Sequence, residues 1–210
     1  DTKPFVQTLA GKPVAVLGLG LSGLSSAKAL IAGGARVVGW DDDAETRSRA
    51  EREGVSLFDF PFGGLDGYAA LVMAPGIPLR FPEPHPAALK ADQARVEIIG
   101  DVEILHRCHH GRKTIGITGT NGKSTTTVLI AHILNSAKKH ALVGGNIGKP
   151  VLSLHLGQND DTLVLEISSY QMDLCPTFRP DIAVLLNITP DHLERHGGME
   201  NYALAKERMM

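Results

Sequence analysis

Two cysteines in 210 residues, Cys108 and Cys175, are too few for a disulfide framework, and their scarcity points to a reducing, cytoplasmic setting. The chain has no apolar run of membrane-spanning length and no signal-peptide pattern, so no membrane partner is expected. It has no excess of basic residues either. Lys and Arg number 21 against 23 Asp and Glu, a net charge of −2, which leaves no polybasic stripe for nucleic acid. Internal repeats and low-complexity tracts are absent. The first residue is Asp1 rather than Met, so the sequence reads as a trimmed or partial form of something longer. What is present is 43% apolar residues, enough to bury the core of one or two domains.

The stretch around which the rest is arranged is Gly116-Ile117-Thr118-Gly119-Thr120-Asn121-Gly122-Lys123-Ser124-Thr125. Lys113-Thr114-Ile115 before it reads as the end of a short buried strand. Val128, Leu129, Ala131, Ile133 and Leu134 after it recur at helical spacing. Strand, glycine-rich turn and helix make a phosphate cradle: backbone N–H groups over Gly119–Thr125 face an anion and Lys123 adds a point charge. Ser124 or Thr125 offers a hydroxyl to a magnesium ion. The usual pattern has glycine five residues before Gly122, where this sequence has Ile117 and places glycines at 116 and 119 instead.

Earlier in the chain, the apolar run Pro13–Leu17 ends in Gly18-Leu19-Gly20-Leu21-Ser22-Gly23. A helical stretch (Leu24, Ala27, Leu30, Ile31) follows, then the strand Arg36–Trp40, then Asp41 to Asp43. This is a βαβ unit with a dinucleotide-type glycine fingerprint and an acid about 20 residues beyond it. The pattern fits NAD, and it fits other nucleotide diphosphates equally, because it provides only backbone approach to a pyrophosphate and an acid near a ribose or base. One of the three aspartates is expected to cap the helix that starts at Ala44. Ala69–Met73 and Val96–Ile99 read as further parallel strands, Asp101–Arg107 as a short helix, and the proline-rich segment from Phe81 as starting in a loop. The turn Ala74-Pro75-Gly76 lies at a strand's carboxyl end, where doubly wound sheets hold ligands. Cys108-His109-His110-Gly111-Arg112 is the expected linker, and the absence of a second ligand pair nearby argues against a metal there.

In the second half, Ala141–Val143 is a strand leading into Gly144-Gly145-Asn146-Ile147-Gly148. Thr162 to Ser169 reads as one buried strand carrying Glu166 near its end. In a phosphate-cradle fold an acid there addresses magnesium, and the alternative is a strand-end Glu facing solvent. Ile182–Asn187 is a third strand, followed by the turn to His192, which by itself reads either as a metal or phosphate contact or as a loop hydrogen-bonder. The helix Met199–Met210 contains Lys206, which by spacing reads as an exposed surface lysine.

Taken together, the cradle Thr118–Thr125, the turns Gly18–Gly23 and Gly144–Gly148, Leu165–Gln171 and Asn187–His196 resemble the Mur ligases of peptidoglycan synthesis, most closely the branch that adds D-glutamate. The resemblance implies an α/β architecture with a Rossmann-like parallel-sheet domain over residues 1–111. An incomplete P-loop-type ATPase domain follows over 112–210, and a further amino-acid-binding domain lies outside the chain. It implies ATP, two Mg2+ ions, UDP-N-acetylmuramoyl-L-alanine and D-glutamate as ligands of a monomer. By the resemblance, Gly119, Thr120, Asn121, Gly122, Lys123, Ser124 and Thr125 hold ATP. Leu21, Ser22, Asp41, Asp42, Pro75 and Gly76 hold the uridine nucleotide. Asn146, Ser168, Gln171 and His192 line the muramoyl-peptide channel. Ser124 and Glu166 take the first metal, and His192 serves the second beside Lys206, which becomes a carbamylated lysine. Lys123, His192 and Lys206 are the expected catalytic residues.

The implied chemistry is attack of a terminal alanyl carboxylate on the γ-phosphorus of ATP, giving an acyl phosphate that the amino group of D-glutamate then captures. Without the amino-acid domain, the 210 residues are expected to bind the UDP-sugar but not to complete turnover. Three alternatives stand beside this reading. A nicotinamide-dependent oxidoreductase rests on Gly18–Gly23 and Asp41 but leaves the second cradle unexplained. A non-catalytic nucleotide-binding module leaves Glu166, His192 and Lys206 without a task. A sister ligase adding another amino acid differs only in a pocket this sequence does not contain.

Overall fold

The computed structural model describes residues 1–108, 111–157 and 161–210. His109 and His110 of the expected linker therefore lie outside the described residues. The chain builds two parallel sheets in succession. The first takes β1 (Val14–Leu17), β2 (Val37–Trp40), β3 (Ser56–Leu57), β4 (Ala70–Met73) and β5 (Glu97–Ile99) in the order β3-β2-β1-β4-β5. The order reverses at β1, so the carboxyl ends of β1 and β4 open a crevice of the kind that receives ligands in doubly wound sheets.

The first sheet is buried on both faces because its strands are continuously apolar rather than alternating. Val14, Val16, Ala70 and Val72 pack on one side. Ala15, Leu17, Leu71 and Met73 pack on the other. Helix α1 (Lys3–Thr8), for which the sequence offers no periodic signal, is started by Pro4 and buries Phe5. Around the sheet lie α2 (Leu21–Ala32), α3 (Ala44–Arg52), α4 (Phe60–Gly63), α5 (Pro86–Gln93) and α6 (Asp101–Cys108). Asp43 is the aspartate that caps α3, its carboxylate accepting from Thr46 N at 2.8 Å.

The second sheet takes β6 (Thr114–Thr118), β7 (Ala141–Gly145), β8 (Thr162–Glu166) and β9 (Ile182–Leu185) in the order β7-β8-β6-β9, all parallel. Helix α7 (Lys123–Ser136) follows β6, and α8 (Ser169–Asp173), α9 (Leu193–His196) and α10 (Met199–Glu207) complete this lobe. The expected strand Thr162–Ser169 is shorter than its apolar run suggested. It ends at Glu166 because Ser168 caps α8, accepting from Gln171 N at 3.2 Å while Gln171 Oε1 accepts from Ser168 N at 3.0 Å. This reciprocal capping box outweighs the β preference of the residues before it.

Helix α6 joins the two lobes. Ile104 packs with the first sheet's core and Val102 and Leu105 with the second's. The fully buried Glu103 carboxylate accepts from Thr177 N, Phe178 N and Arg107 Nε at 3.1, 3.1 and 2.8 Å, and also from the Thr177 hydroxyl.

Candidate nucleotide and phosphate sites

In the first lobe the turn Gly18–Gly23 joins β1 to α2. Gly23 cannot be any other residue without backbone movement, because a Cβ there would lie 1.7 Å from Gly18 O. Helix α2 has Gly20 as its N-cap and no side-chain cap, which leaves its first N–H groups free for an anion. Leu21 stands 83% exposed at this end. Ser22 turns its hydroxyl to the buried Asp101, whose carboxyl is pushed up by burial. Pro75 and Gly76 follow β4, and Gly76 O accepts from Arg195 Nη1 of the second lobe at 2.8 Å. Asp41 is bound to backbone through both oxygens: Oδ2 accepts from Leu19 N at 2.7 Å and Oδ1 from Asp43 N at 3.0 Å. Asp42 is held by side chains, with Trp40 Nε1 at 3.3 Å and His85 Nε2 at 3.1 Å.

In the second lobe the turn between β6 and α7 has the same logic. Gly122 caps α7 in the left-handed conformation at φ 84°, a position that favours glycine, and no side chain caps the helix. The turn is tied to the segment after β9. Thr120 N donates to Asn187 O at 3.0 Å and Asn121 N to Asn187 Oδ1 at 2.9 Å, while Thr120 Oγ1 donates to Thr189 O at 3.1 Å. Asn187 is a site residue that sequence reading did not single out. Its signal was a polar amide closing an apolar strand at the level of the cradle.

Lys123 Nζ folds across the turn to Gly119 O at 3.0 Å and Thr120 O at 2.8 Å. Lys206 Nζ reaches the same Gly119 O at 3.0 Å and Thr118 Oγ1 at 3.4 Å, and sits 4.7 Å from the centre of the Tyr202 ring. Lys206 is therefore not the surface residue its spacing suggested. At 1% exposure it is buried beneath the turn, and desolvation, with Lys123 close by, lowers its pKa to about 8. Tyr202 was also missed: its hydroxyl lies 2.9 Å from Thr120 Oγ1 and must be the donor, because the Thr120 proton goes to Thr189 O.

Glu166 ends β8, level with Ile117 on β6, and is 2% exposed. Its Oε2 accepts from Ser124 Oγ at 2.7 Å and its Oε1 from Asn146 Nδ2 at 2.8 Å. The structure thus brings Lys123, Ser124, Asn146, Glu166 and Lys206 to one turn. Ser168 and Gln171 are bonded to each other in the α8 cap. His192 stands apart from Glu166 in the contacts it makes, half-exposed, with Asp191 Oδ2 at 3.5 Å and its ring 5.1 Å from that of Tyr170. Among the described residues no group of three or more His, Cys, Asp or Glu is gathered as a metal cluster, and no helix is long and apolar enough to cross a membrane.

Residues 117–210 match the family described as the Mur ligase middle domain. The chain is 50% identical over 210 residues to the UDP-N-acetylmuramoylalanine–D-glutamate ligase of Caulobacter sp. (strain K31), covering 97% of this chain and 45% of that protein. It is 47% identical over 209 residues to the enzyme of the same name from Brucella abortus (strain 2308), with 98% and 45% covered. The chain thus spans less than half the length of these relatives. Among solved structures, it superposes with a TM-score of 0.57 on the UDP-N-acetylmuramate:L-alanyl-gamma-D-glutamyl-meso-diaminopimelate ligase of Neisseria meningitides. Identity there is 17%, with 94% of this chain and 67% of that one covered. The UDP-N-acetylmuramate–alanine ligase of Thermotoga maritima gives 0.54 at 22% identity, with 94% and 46% covered. At these identities the solved structures speak for the fold alone.

Proposed function

From the match of residues 117–210 to the Mur ligase middle domain, we propose that this chain belongs to the Mur ligases and carries the UDP-sugar and ATP sites of a ligase joining D-glutamate to UDP-N-acetylmuramoyl-L-alanine. The observation that carries the reading is the convergence of Lys123, Lys206, Ser124 and Glu166 on one glycine turn. Two lysine nitrogens, an uncapped 14-residue helix and a buried carboxylate are what a triphosphate and its counter-cation need. The first lobe, residues 1–111, holds the uridine nucleotide on the N-terminus of α2. The second, residues 112–210, holds ATP over Gly119–Thr125.

The donor set suits magnesium. Glu166 is buried with neutral hydrogen-bond donors only, Ser124 and Asn146, and pairs with no cationic side chain among the described residues. Ser124 Oγ and the Glu166 carboxylate are hard oxygen ligands that would hold such an ion, the rest of its shell coming from phosphate and water. A divalent cation there supplies charge neutralisation along the phosphoryl-transfer axis. His192, half-exposed on the segment after β9 that Thr189 ties to Thr120 of the cradle, is proposed for a second ion or a substrate phosphate.

Lys123 releases its two carbonyls to reach the ATP phosphates. The alanyl carboxylate then attacks the γ-phosphorus: its oxygen forms the new P–O bond, and ADP leaves with the electrons of the broken one. The incoming amine attacks the acyl phosphate and loses a proton, and phosphate departs from the tetrahedral adduct. Lys206 spends a sizeable fraction of the time as a neutral amine near pH 8. Its lone pair can then add to carbon dioxide, with loss of a proton, to form a carbamate, which reverses the local charge. The test is phosphate release from ATP by the intact enzyme with UDP-N-acetylmuramoyl-L-alanine and a panel of amino acids. Release with D-glutamate alone is expected, and release with a different amino acid would instead identify a sister ligase. Titration of this chain with NADH should give no binding where the UDP-sugar does.

A further inference from the structure

Asp101 is a buried acid that no step of the ligation uses. It opens α6 at 4% exposure, its Oδ2 accepting from the Ser22 hydroxyl at 2.5 Å and its Oδ1 from Val102 N at 2.9 Å. Ser22 is the second residue of α2, after β1, and Asp101 the first of α6, after β5. Both therefore stand at the carboxyl edge of the first sheet, where α2 presents its uncapped N–H groups. A carboxylate held against the place of a diphosphate is a like-charge conflict.

No cation relieves it. Among the described residues Asp101 is in no salt bridge, and the charged groups around it face elsewhere. On the β2 side of the turn, Arg49 donates to Leu19 O at 3.2 Å and Asp41 accepts from Leu19 N. On the α6 side, Glu103 is committed to Arg107, Thr177 and Phe178, and the Cys175 thiol is pushed up by burial, then by Glu103 and Asp101. Of the elements packed on α6, the turn Val151–Ser153 has no ionisable group. Helix α1 has only the exposed Lys3, and α2 only Lys28, which pairs with Glu53. Burial raises the Asp101 carboxyl, with the bonds from Ser22 and Val102 pulling the other way.

The two acids at the turn differ in what they hold. Asp41 accepts from backbone N–H groups, whose direction is fixed. Asp101 accepts from a hydroxyl, which can rotate and become the acceptor. We propose that Asp101 is a positioning residue for the diphosphate in the first lobe, taking up one proton from solvent as the ligand binds. The neutral acid then donates to Ser22 Oγ, and the Ser22 hydroxyl turns its own proton to a phosphate oxygen. The proposal rests on the uridine-nucleotide reading above.

The test is calorimetric titration of the full chain with UDP-N-acetylglucosamine at pH 5.5, 7 and 8, in pairs of buffers of different ionisation enthalpy. This diphosphate diester has no group that titrates in that range and no carboxylate to engage Lys206. The dependence of the heat on the buffer counts protons. Wild type is expected to take up about half to one proton at one or more of these pH values. Its affinity should fall as pH rises, by up to about tenfold per pH unit where uptake is greatest. Asp101→Asn, neutral but still able to donate to Ser22, should take up none and bind within about threefold of wild type at pH 5.5. Ser22→Ala should also lose the uptake, and bind about tenfold more weakly than wild type at pH 5.5. A merely structural Asp101 would alter the melting temperature of its variant and leave the wild-type proton count at zero. Zero uptake by wild type at all three pH values, or undiminished uptake by folded Asp101→Asn, overturns the proposal and leaves the uridine reading standing. Failure of wild type to bind the ligand overturns both.

Discussion

Lys123 and Lys206, 83 positions apart in the sequence, donate to the same carbonyl oxygen, that of Gly119, at 3.0 Å each. Two ammonium groups within about 6 Å of each other repel by on the order of 1–3 kcal/mol at the effective dielectric of a partly buried site. Desolvation first, and this repulsion second, lower the pKa of the buried Lys206 to about 8. Its folded pKa lies below the unfolded value. Between about pH 8 and 10.5 the unfolded chain therefore binds more protons, and stability rises with pH across that window. Lys206→Met removes the buried amine while keeping much of its volume. It is expected to be more stable than wild type at pH 7, with the difference shrinking toward pH 10, and to abolish ligation in the intact enzyme. Urea denaturation of both proteins at pH 7, 8.5 and 10 checks the first two points.

Ser124 and Glu166 make the second expectation. Their 2.7 Å hydrogen bond must open for a cation to enter, so the hydroxyl contributes to nucleotide affinity only when a divalent ion is present. Ser124→Ala is expected to weaken ATP binding about tenfold in the presence of Mg2+ and to leave it within about twofold in EDTA. Calorimetry in the two buffers separates these outcomes. Equal losses in both would mean that the hydroxyl contacts phosphate and not the metal.

The sheets were legible because parallel strands buried on both faces leave continuous apolar runs, as in Val14–Leu17, Ala70–Met73 and Thr162–Leu165, each ending at a turn rich in glycine or polar residues. The positions of Lys123, Ser124 and Glu166 followed from the cradle. The parts that escaped depend on contacts remote in sequence. Lys206 looks exposed by spacing, since only the packing of α10 against the turn at Gly119 buries it. Asp41 likewise accepts from Leu19 N, 22 residues back, a contact that no local pattern announces. The capping box of Ser168 and Gln171 was readable locally but was overridden by the apolar strand before it.

Glu103 and Thr177 join the two lobes. The buried carboxylate receives two backbone N–H groups, a hydroxyl and the Arg107 guanidinium. Glu103→Ala would leave the two backbone N–H groups and the hydroxyl without this acceptor, Arg107 keeping its pairing with Glu97, and is expected to destabilise the chain by about 3–5 kcal/mol. Thr177→Ala removes only one donor and should cost about 1 kcal/mol. Urea midpoints give both values, and a double-mutant cycle should show coupling between the two residues because they share the bond.

His196 carries the last expectation, for the acid side. Its ring is 3% exposed, with Nε2 2.9 Å from Ser169 Oγ and Nδ1 3.4 Å from Asp173, and it stacks on Tyr170. Burial lowers its pKa, and this outweighs the opposing pull of Asp173. As pH falls through 6.5 the unfolded chain takes up a proton that the folded chain resists, so this residue makes the fold less stable toward acid. Asp173 works the other way at lower pH, since burial raises its carboxyl and the folded chain binds that proton first. The loss caused by His196 therefore accumulates as pH falls below 6.5 toward its own lowered folded value, and the gain from Asp173 opposes it only at more acid pH. His196→Gln, which keeps a polar partner for Ser169 but cannot titrate, is expected to lose stability at pH 7.5 through the missing ring contacts. It should also show a flatter stability profile than wild type between pH 7.5 and 5.5. Guanidinium unfolding at those two pH values decides it, and an unchanged slope would place the acid sensitivity on other groups.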